Sequence, residues 1–213
     1  MTTLAPASRT DTRLWPFVIV RAIPALVVGG FITFSSDHSQ SLGLSAFAAF
    51  AFLTGAVLLA AALRGALPAA DRSPTIVQGS VSIVAGIAAI VFVANDLPFF
   101  LQLLSLWAVV AGAAELYIGL RNRRRHAASR DWIFVGALTV VLAVVAFLIP
   151  ADLQDSWANE SGVEGVLTAS VVSVGAFGAY AAVIGVYLVI AGLSLKWAVD
   201  RPPVPEAEGP DQS

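Results

Sequence analysis

Long apolar runs alternate along this chain with short polar connectors. A helix needs about 20 predominantly apolar residues to cross the hydrocarbon core of a bilayer. The pattern therefore predicts an all-α membrane protein in which residues 14–197 form one six-span domain. We expect the six transmembrane helices at roughly 14–34, 42–63, 75–94, 98–120, 132–150 and 172–195.

The basic residues fall on alternate connectors. Of the 12 Lys and Arg residues, all but Arg21 lie before span 1 or after spans 2, 4 and 6, and the other three connectors have none. Because Lys and Arg mark the cytoplasmic side, we expect a bacterial plasma-membrane protein with both termini in the cytoplasm. Residues 1–13 would then be a cytoplasmic segment. Residues 198–213, rich in proline and acidic residues, would be a disordered cytoplasmic tail.

Sequence features recur at a spacing of 57 residues. Gly55 matches Gly112, and Arg64 matches Arg121. We therefore expect three tandem helical-hairpin repeats, at about 14–64, 75–121 and 132–196. Glycines at repeated positions let neighbouring membrane helices approach closely, and hairpins that cannot bury this face alone pack together. We assign this packing role to Gly29, Gly55, Gly86, Gly112, Gly136 and Gly185.

The third unit is longer than the other two. Gly112 and Gly185 lie 73 residues apart, so the additional residues fall in the connector before span 6. We expect an insertion over about 151–171, in which 158–171 form an outer loop or a short interfacial helix. A break in the following apolar run is expected near Gly175 or Gly178.

The composition narrows the function classes. The chain is 58% hydrophobic and 12% charged, whereas a soluble domain is usually about 25% charged. It has no cysteine, which excludes disulfides, thiol catalysis and cysteine-based metal sites. No hydrolase, metalloprotease, P-loop or dinucleotide motif is present. We expect no enzyme activity, no cofactor and no metal site.

Two full charges, Arg21 and Glu115, interrupt the apolar spans. Arg21 lies seven residues past Leu14 and Glu115 six residues before Arg121. At 1.5 Å per residue both are roughly 9–10 Å from the same end of the bundle. Opposite charges at matched depth predict an ion pair between spans 1 and 4. Glu115 is expected to face a packed helical seam, because it shares its helix face with alanines and glycines.

Other roles for these two residues stay open. The long side chain of Arg21 can reach the membrane interface, and Glu115 can be protonated or hydrogen-bonded to a hydroxyl or the backbone. A proton or solute site is the functional alternative. The repeat does not explain Glu115, since its equivalents are Leu58 and Leu188.

The remaining polar candidates fall into two groups. Gln78, Gln102 and Ser105 lie within spans and are expected to form interhelical hydrogen bonds. The second group determines topology and is a candidate contact for anionic lipid headgroups around 121–130; it comprises Arg121, Arg123, Arg124 and Arg125. The basic run is short and lacks interleaved aromatic residues, which argues against nucleic-acid binding.

Two stretches resemble the HdeD-like family of small bacterial membrane proteins: GSVSIVAGIAAIVF (79–92) and LWAVVAGAAELYIGLRNR (106–123). Gly112, Glu115 and Arg121 look like the G-x-x-E…R ending of that family. The chain departs from the pattern in its first hairpin, which lacks a proline at the outer end, and in its long connector 151–171.

The resemblance implies a non-catalytic protein linked to acid or envelope stress, because the family is named for an acid-resistance member. The alternative is a transporter or channel for protons or small solutes that uses the region of Arg21 and Glu115. The expected partners are the lipid bilayer and, as a further alternative, other copies of the chain.

Overall fold

The computed structural model describes residues 9–94, 96–123, 126, 128–158 and 164–200. Six α-helices lie within them, and each is long and apolar enough to cross a membrane. Their bounds are α1 (Arg9–Phe34), α2 (Gln40–Leu63), α3 (Ala69–Val91), α4 (Leu97–Arg121), α5 (Ser129–Leu148) and α6 (Ala169–Asp200). The six predicted spans are thus confirmed as helices, with ends that differ by a few residues.

Local sequence chemistry explains several helix ends. The hydroxyl of Ser39 accepts a hydrogen bond from the backbone N–H of Leu42 at the start of α2. The carboxylate of Asp96 does the same for Phe99 at the start of α4. Such caps satisfy backbone donors that the first helical turn leaves unpaired. Gly65 follows α2 with a φ of 69°, a left-handed conformation that glycine adopts without steric cost.

The connector between α5 and α6 contains regular structure that the sequence did not predict. It forms an antiparallel hairpin of β1 (Gln154–Ala158) and β2 (Glu164–Thr168), and not an interfacial helix. The pairing satisfies backbone groups that a single extended strand would leave open. A hydrogen bond of 3.1 Å from the Ala169 N–H to the Leu153 carbonyl ties this hairpin to α6.

Helix α6 is also longer than predicted. It starts at Ala169, continues without a break through Gly175 and Gly178, and ends at Asp200. The predicted disordered tail is therefore wrong for residues 198–200, which extend the helix, while 201–213 and the N-terminal residues 1–8 lie outside the described residues.

We call the end of the bundle at which α2 joins α3 and α4 joins α5 the arginine end. The opposite end, which carries β1 and β2, is the hairpin end. The most closely packed pairs are α2 with α3, α4 with α5, and α1 with α6. Glycines are at each of these seams: a Cβ on Gly55 would lie 2.6 Å from the Gly79 carbonyl oxygen, and one on Gly112 would lie 3.0 Å from that of Gly136.

Buried aromatic rings fill the centre of the bundle. Phe50, Trp107 and Tyr180 pack edge to face around one point, with ring centroids 5.7, 6.1 and 6.5 Å apart. Phe47 and Phe177 extend the group toward the hairpin end and are fully buried. We call the five rings the aromatic layer. It separates the polar groups described below from the hairpin end.

Candidate functional site: a buried polar cluster

Arg21 of α1 and Glu115 of α4 form a two-pronged ion pair in the interior. Arg21 donates from Nη1 to Oε1 over 2.5 Å and from Nη2 to Oε2 over 2.9 Å. The side chain of Glu115 is 3% exposed and that of Arg21 is 11% exposed. Paired donation of this kind matches the planar guanidinium to the carboxylate and is stronger than a single contact. The two charges that interrupt the spans are therefore brought together.

Gln78 of α3 completes the cluster. Its Nε2 donates to Oε2 of Glu115 over 3.0 Å, and the side chain is buried. Glu115 thus accepts three hydrogen bonds from two other helices. Because a buried charge is stable only when it is paired and hydrogen-bonded, this arrangement satisfies the carboxylate inside the apolar region.

The cluster occupies one side of an otherwise apolar ring. Residues 57 positions apart place Arg21, Gln78 and Val135 at equivalent points of α1, α3 and α5. On the alternate helices the corresponding residues are Leu58, Glu115 and Leu188. All six line the same internal cavity. The polar half of the ring therefore joins α1, α3 and α4, while the other half consists of aliphatic side chains.

The cavity has a volume of about 50 Å³ and extends from the cluster toward the arginine end. Thr75 and Asp131 add polar groups to its wall, and Leu14 and Leu195 line the part nearest the arginine end. A buried water needs about 10–15 Å³ of such space and two to four polar partners. The cavity is therefore large enough for a few water molecules and too small for an organic solute.

The aromatic layer closes the other side of the cluster. Trp107 donates from Nε1 to the Ser82 hydroxyl over 3.0 Å, and the Tyr180 hydroxyl lies 2.8 Å from that of Thr139. The hydroxyls of Ser82 and Thr139 are buried, and each also donates to a backbone carbonyl one turn earlier in its own helix. These contacts were not predicted from the sequence. The sequence did contain a sign of the aromatic layer, because Phe50, Trp107 and Tyr180 follow the repeat spacings of 57 and 73.

Two of the predicted interhelical contacts are not made within the described part of the chain. Gln102 is exposed on α4, and the Ser105 hydroxyl is buried without a hydrogen-bond partner there. The expected contacts fail because both residues line an open groove between α4 and α5. Of the three polar candidates, Gln78 alone joins the cluster.

The arginines at the arginine end have exposed side chains where the structure describes them. Arg121 donates to the Tyr117 hydroxyl over 3.2 Å and lies over its ring, while Arg123 is exposed without such a contact. Arg124 and Arg125 lie outside the described residues.

Two further polar contacts near the arginine end were not predicted. The Asn122 amide donates to the buried Asp71 carboxylate over 2.9 Å, and the Tyr187 hydroxyl donates to Asp131 over 2.8 Å. Asp71 and Asp131 lie in predicted connectors. The helices begin earlier than predicted, which places Asp71 and Asp131 inside the first turns of α3 and α5. No cluster of metal-ligating side chains occurs among the described residues.

Replacing Gln78 with leucine is expected to lower the free energy of unfolding by about 1.5–3 kcal/mol. The variant removes a hydrogen bond to a charged, buried carboxylate. Unfolding titrations in mixed micelles of a non-ionic detergent and SDS measure the loss. The matched control is Ser80→Ala, on the exposed face of the same helix. Equal stability of Gln78→Leu and Ser80→Ala would contradict the contribution of this bond.

Comparison of the chain with protein-family models, curated proteins and solved structures finds no match. The six helices and the buried polar cluster define its class by themselves. The protein is a multi-pass membrane protein, because six long apolar helices enclose an ion pair and leave large aliphatic side chains exposed around the bundle.

Proposed function

We propose that this chain is a non-catalytic protein of the bacterial plasma membrane, similar to the HdeD-like family, that serves under acid or envelope stress. The arginine end faces the cytoplasm in this proposal, because basic residues concentrate there. Arg121, Arg123 and Arg130 are exposed at that end and would attract anionic headgroups by about 1 kcal/mol each.

The packing supports a proposal of three repeated hairpins. Gly55 contacts Ile83, Gly112 contacts Val140, and Gly185 contacts Leu26, in each case at a distance that excludes a larger residue. The three partners, Leu26, Ile83 and Val140, are each 57 residues apart. An assembly with threefold pseudosymmetry, in which each hairpin packs on the next and the last returns to the first, accounts for all three contacts.

The observation that carries the non-catalytic proposal is the mutual saturation of the cluster. Both carboxylate oxygens of Glu115 accept hydrogen bonds from Arg21 or Gln78, and the aromatic layer covers the cluster on its hairpin-end side. A catalytic acid or base needs a substrate within hydrogen-bond reach. Here the charged groups serve one another, so their role is to fix α1, α3 and α4 in one arrangement.

Complementation of a deletion strain under acid challenge tests this function. We expect the strain without the gene to survive acid less well and the wild-type gene to restore survival. The paired variant Arg21→Met/Glu115→Leu should also restore survival, because it replaces the ion pair with apolar packing. Failure of the paired variant at normal protein level would contradict a purely structural role. Unchanged acid survival after deletion would contradict the stress function.

The internal cavity favours a second candidate function, proton movement. The cavity has room for water and extends from Arg21 and Glu115 toward the arginine end. Proteoliposomes that contain a trapped pH-sensitive dye measure this directly. A proton flux above that of protein-free liposomes, lost in Glu115→Gln, would support transport and contradict the structural proposal. We expect no such flux, because the aromatic layer closes the path toward the hairpin end.

A further inference from the structure

A groove of about 740 Å³ opens on the bundle surface between the hairpin-end halves of α4 and α5. Its walls are mostly aliphatic, and Leu106, Val109 and Phe147 are exposed there. Sites that bind drug-sized apolar ligands have volumes of roughly 300–1,000 Å³. The groove therefore has the size and lining of a binding site, and its mouth faces the hydrocarbon of the bilayer.

The groove lies where the chain departs from its own glycine spacing. A Cβ on Gly86 would lie 2.9 Å from the Phe52 backbone nitrogen, and one on Gly29 would lie 2.4 Å from that of Ala182. The seams α2–α3 and α1–α6 are thus closed to a methyl group at this level. The residue 57 positions after Gly86 is Ala143, which lines the groove. Ala143 thus carries a methyl group at the level where the other two seams have glycine.

Two polar side chains line the groove and have no partner among the described residues. Gln102 exposes its amide, and the Ser105 hydroxyl is buried with no hydrogen-bond acceptor. They lie five and eight residues into α4, which is about 8 and 12 Å from its first residue. Polar groups left unpaired in hydrocarbon cost several kcal/mol each. An occupant that supplies an acceptor at this depth would remove that cost.

We propose that the groove binds one diacyl glycerophospholipid of the surrounding leaflet. One acyl chain lies along the aliphatic walls, and its ester carbonyl accepts a hydrogen bond from the exposed Gln102 amide. Ester carbonyls lie at the boundary between headgroups and hydrocarbon, and Gln102, about 8 Å into α4, is the donor nearer to that boundary. An ester carbonyl also supplies the acceptor for the Gln102 amide, which the apolar face of a helix from a second copy would not.

Native mass spectrometry of the purified full-length protein tests the proposal. The protein is stripped of lipid in detergent and titrated with a diester phosphatidylethanolamine or with its diether analogue, which lacks the carbonyl acceptors. We expect one diester lipid to be retained per chain and the diether analogue to bind roughly two- to ten-fold more weakly, as expected for the loss of a neutral hydrogen bond. Gln102→Leu should weaken diester binding by a similar factor and leave diether binding unchanged.

Matched controls separate this site from general lipid contact. Ser45→Leu changes the residue equivalent to Gln102 on α2, where the seam is closed, and should retain the diester lipid as wild type does. Val109→Trp enlarges a side chain that is exposed in the groove, and it should fill the groove and abolish retention of both lipids at an unchanged unfolding midpoint. Equal binding of diester and diether lipids would overturn the carbonyl contact. A disulfide between two chains that each carry Leu106→Cys, with no lipid retained, would show that a second copy occupies the groove and would overturn the proposal.

Discussion

Replacing Arg21 with methionine is expected to lower the free energy of unfolding by about 3–5 kcal/mol, because Glu115 would remain buried without its cation. Glu115→Leu should cost a similar amount, since it leaves the guanidinium unpaired. The double variant Arg21→Met/Glu115→Leu should return to within about 1–2 kcal/mol of the wild type, because apolar side chains of similar volume replace a desolvated pair. The remaining loss reflects Gln78, which no longer has its acceptor.

Unfolding in mixed micelles of a non-ionic detergent and SDS measures all three variants in one double-mutant cycle. The control is Arg64→Ala, which removes an exposed arginine at the arginine end and should change stability by less than about 0.5 kcal/mol. Strictly additive losses in the cycle would contradict a direct interaction between the two side chains. Losses that cancel in the double variant would show that the ion pair fixes the helices without exceeding apolar packing in strength.

Adding one methyl group at Gly29 is expected to separate α1 from α6. A Cβ at this position would lie 2.4 Å from the backbone nitrogen of Ala182 and 2.6 Å from its Cα, and backbone atoms give way only when a helix moves. Overpacking of this kind costs about 1–3 kcal/mol. The loss in Gly29→Ala is measured as the shift of the unfolding midpoint in the same micelles.

The adjacent glycine provides the control for this variant. A Cβ on Gly30 would meet no atom within 4 Å, so Gly30→Ala has space for its methyl group. Alanine also favours the helix over glycine by about 1 kcal/mol, so this variant should be as stable as the wild type or slightly more stable. A similar loss in both variants would contradict the α1–α6 contact as the cause, because the methyl group of Gly30→Ala meets no neighbouring atom.

Most members of the polar cluster could be predicted from the sequence, because a charged residue in an apolar span is rare. Arg21 and Glu115 stand out by type and lie at matched depth, which narrows the partner of each before any fold is known. Gln78 stands out in the same way. Its acceptor could not be read from the sequence, because the rotation of α3 about its axis depends on glycine contacts such as that between Gly55 and Gly79.

For polar residues near span ends, the sequence did not indicate which contacts they make. Asp71 and Asp131 are close to connectors in the sequence, and they are held inside the bundle by Asn122 and Tyr187. Gln102 and Ser105 lie deeper in a span, and they face a groove without a protein partner among the described residues. Depth along a helix can be counted from residue numbers, whereas the neighbours of a side chain depend on helix separation.

The sequence by itself determined the six spans and the position of the basic residues, because both depend on chain length and composition relative to the bilayer. It also contained the glycine spacing of 57 residues. Only the tertiary structure decided the bonds within the polar cluster, the aromatic layer above it, the β-hairpin and the groove at Ala143. These features depend on how closely helices that are far apart in the chain approach one another. Differences of a few tenths of an ångström in that separation are set by side-chain packing.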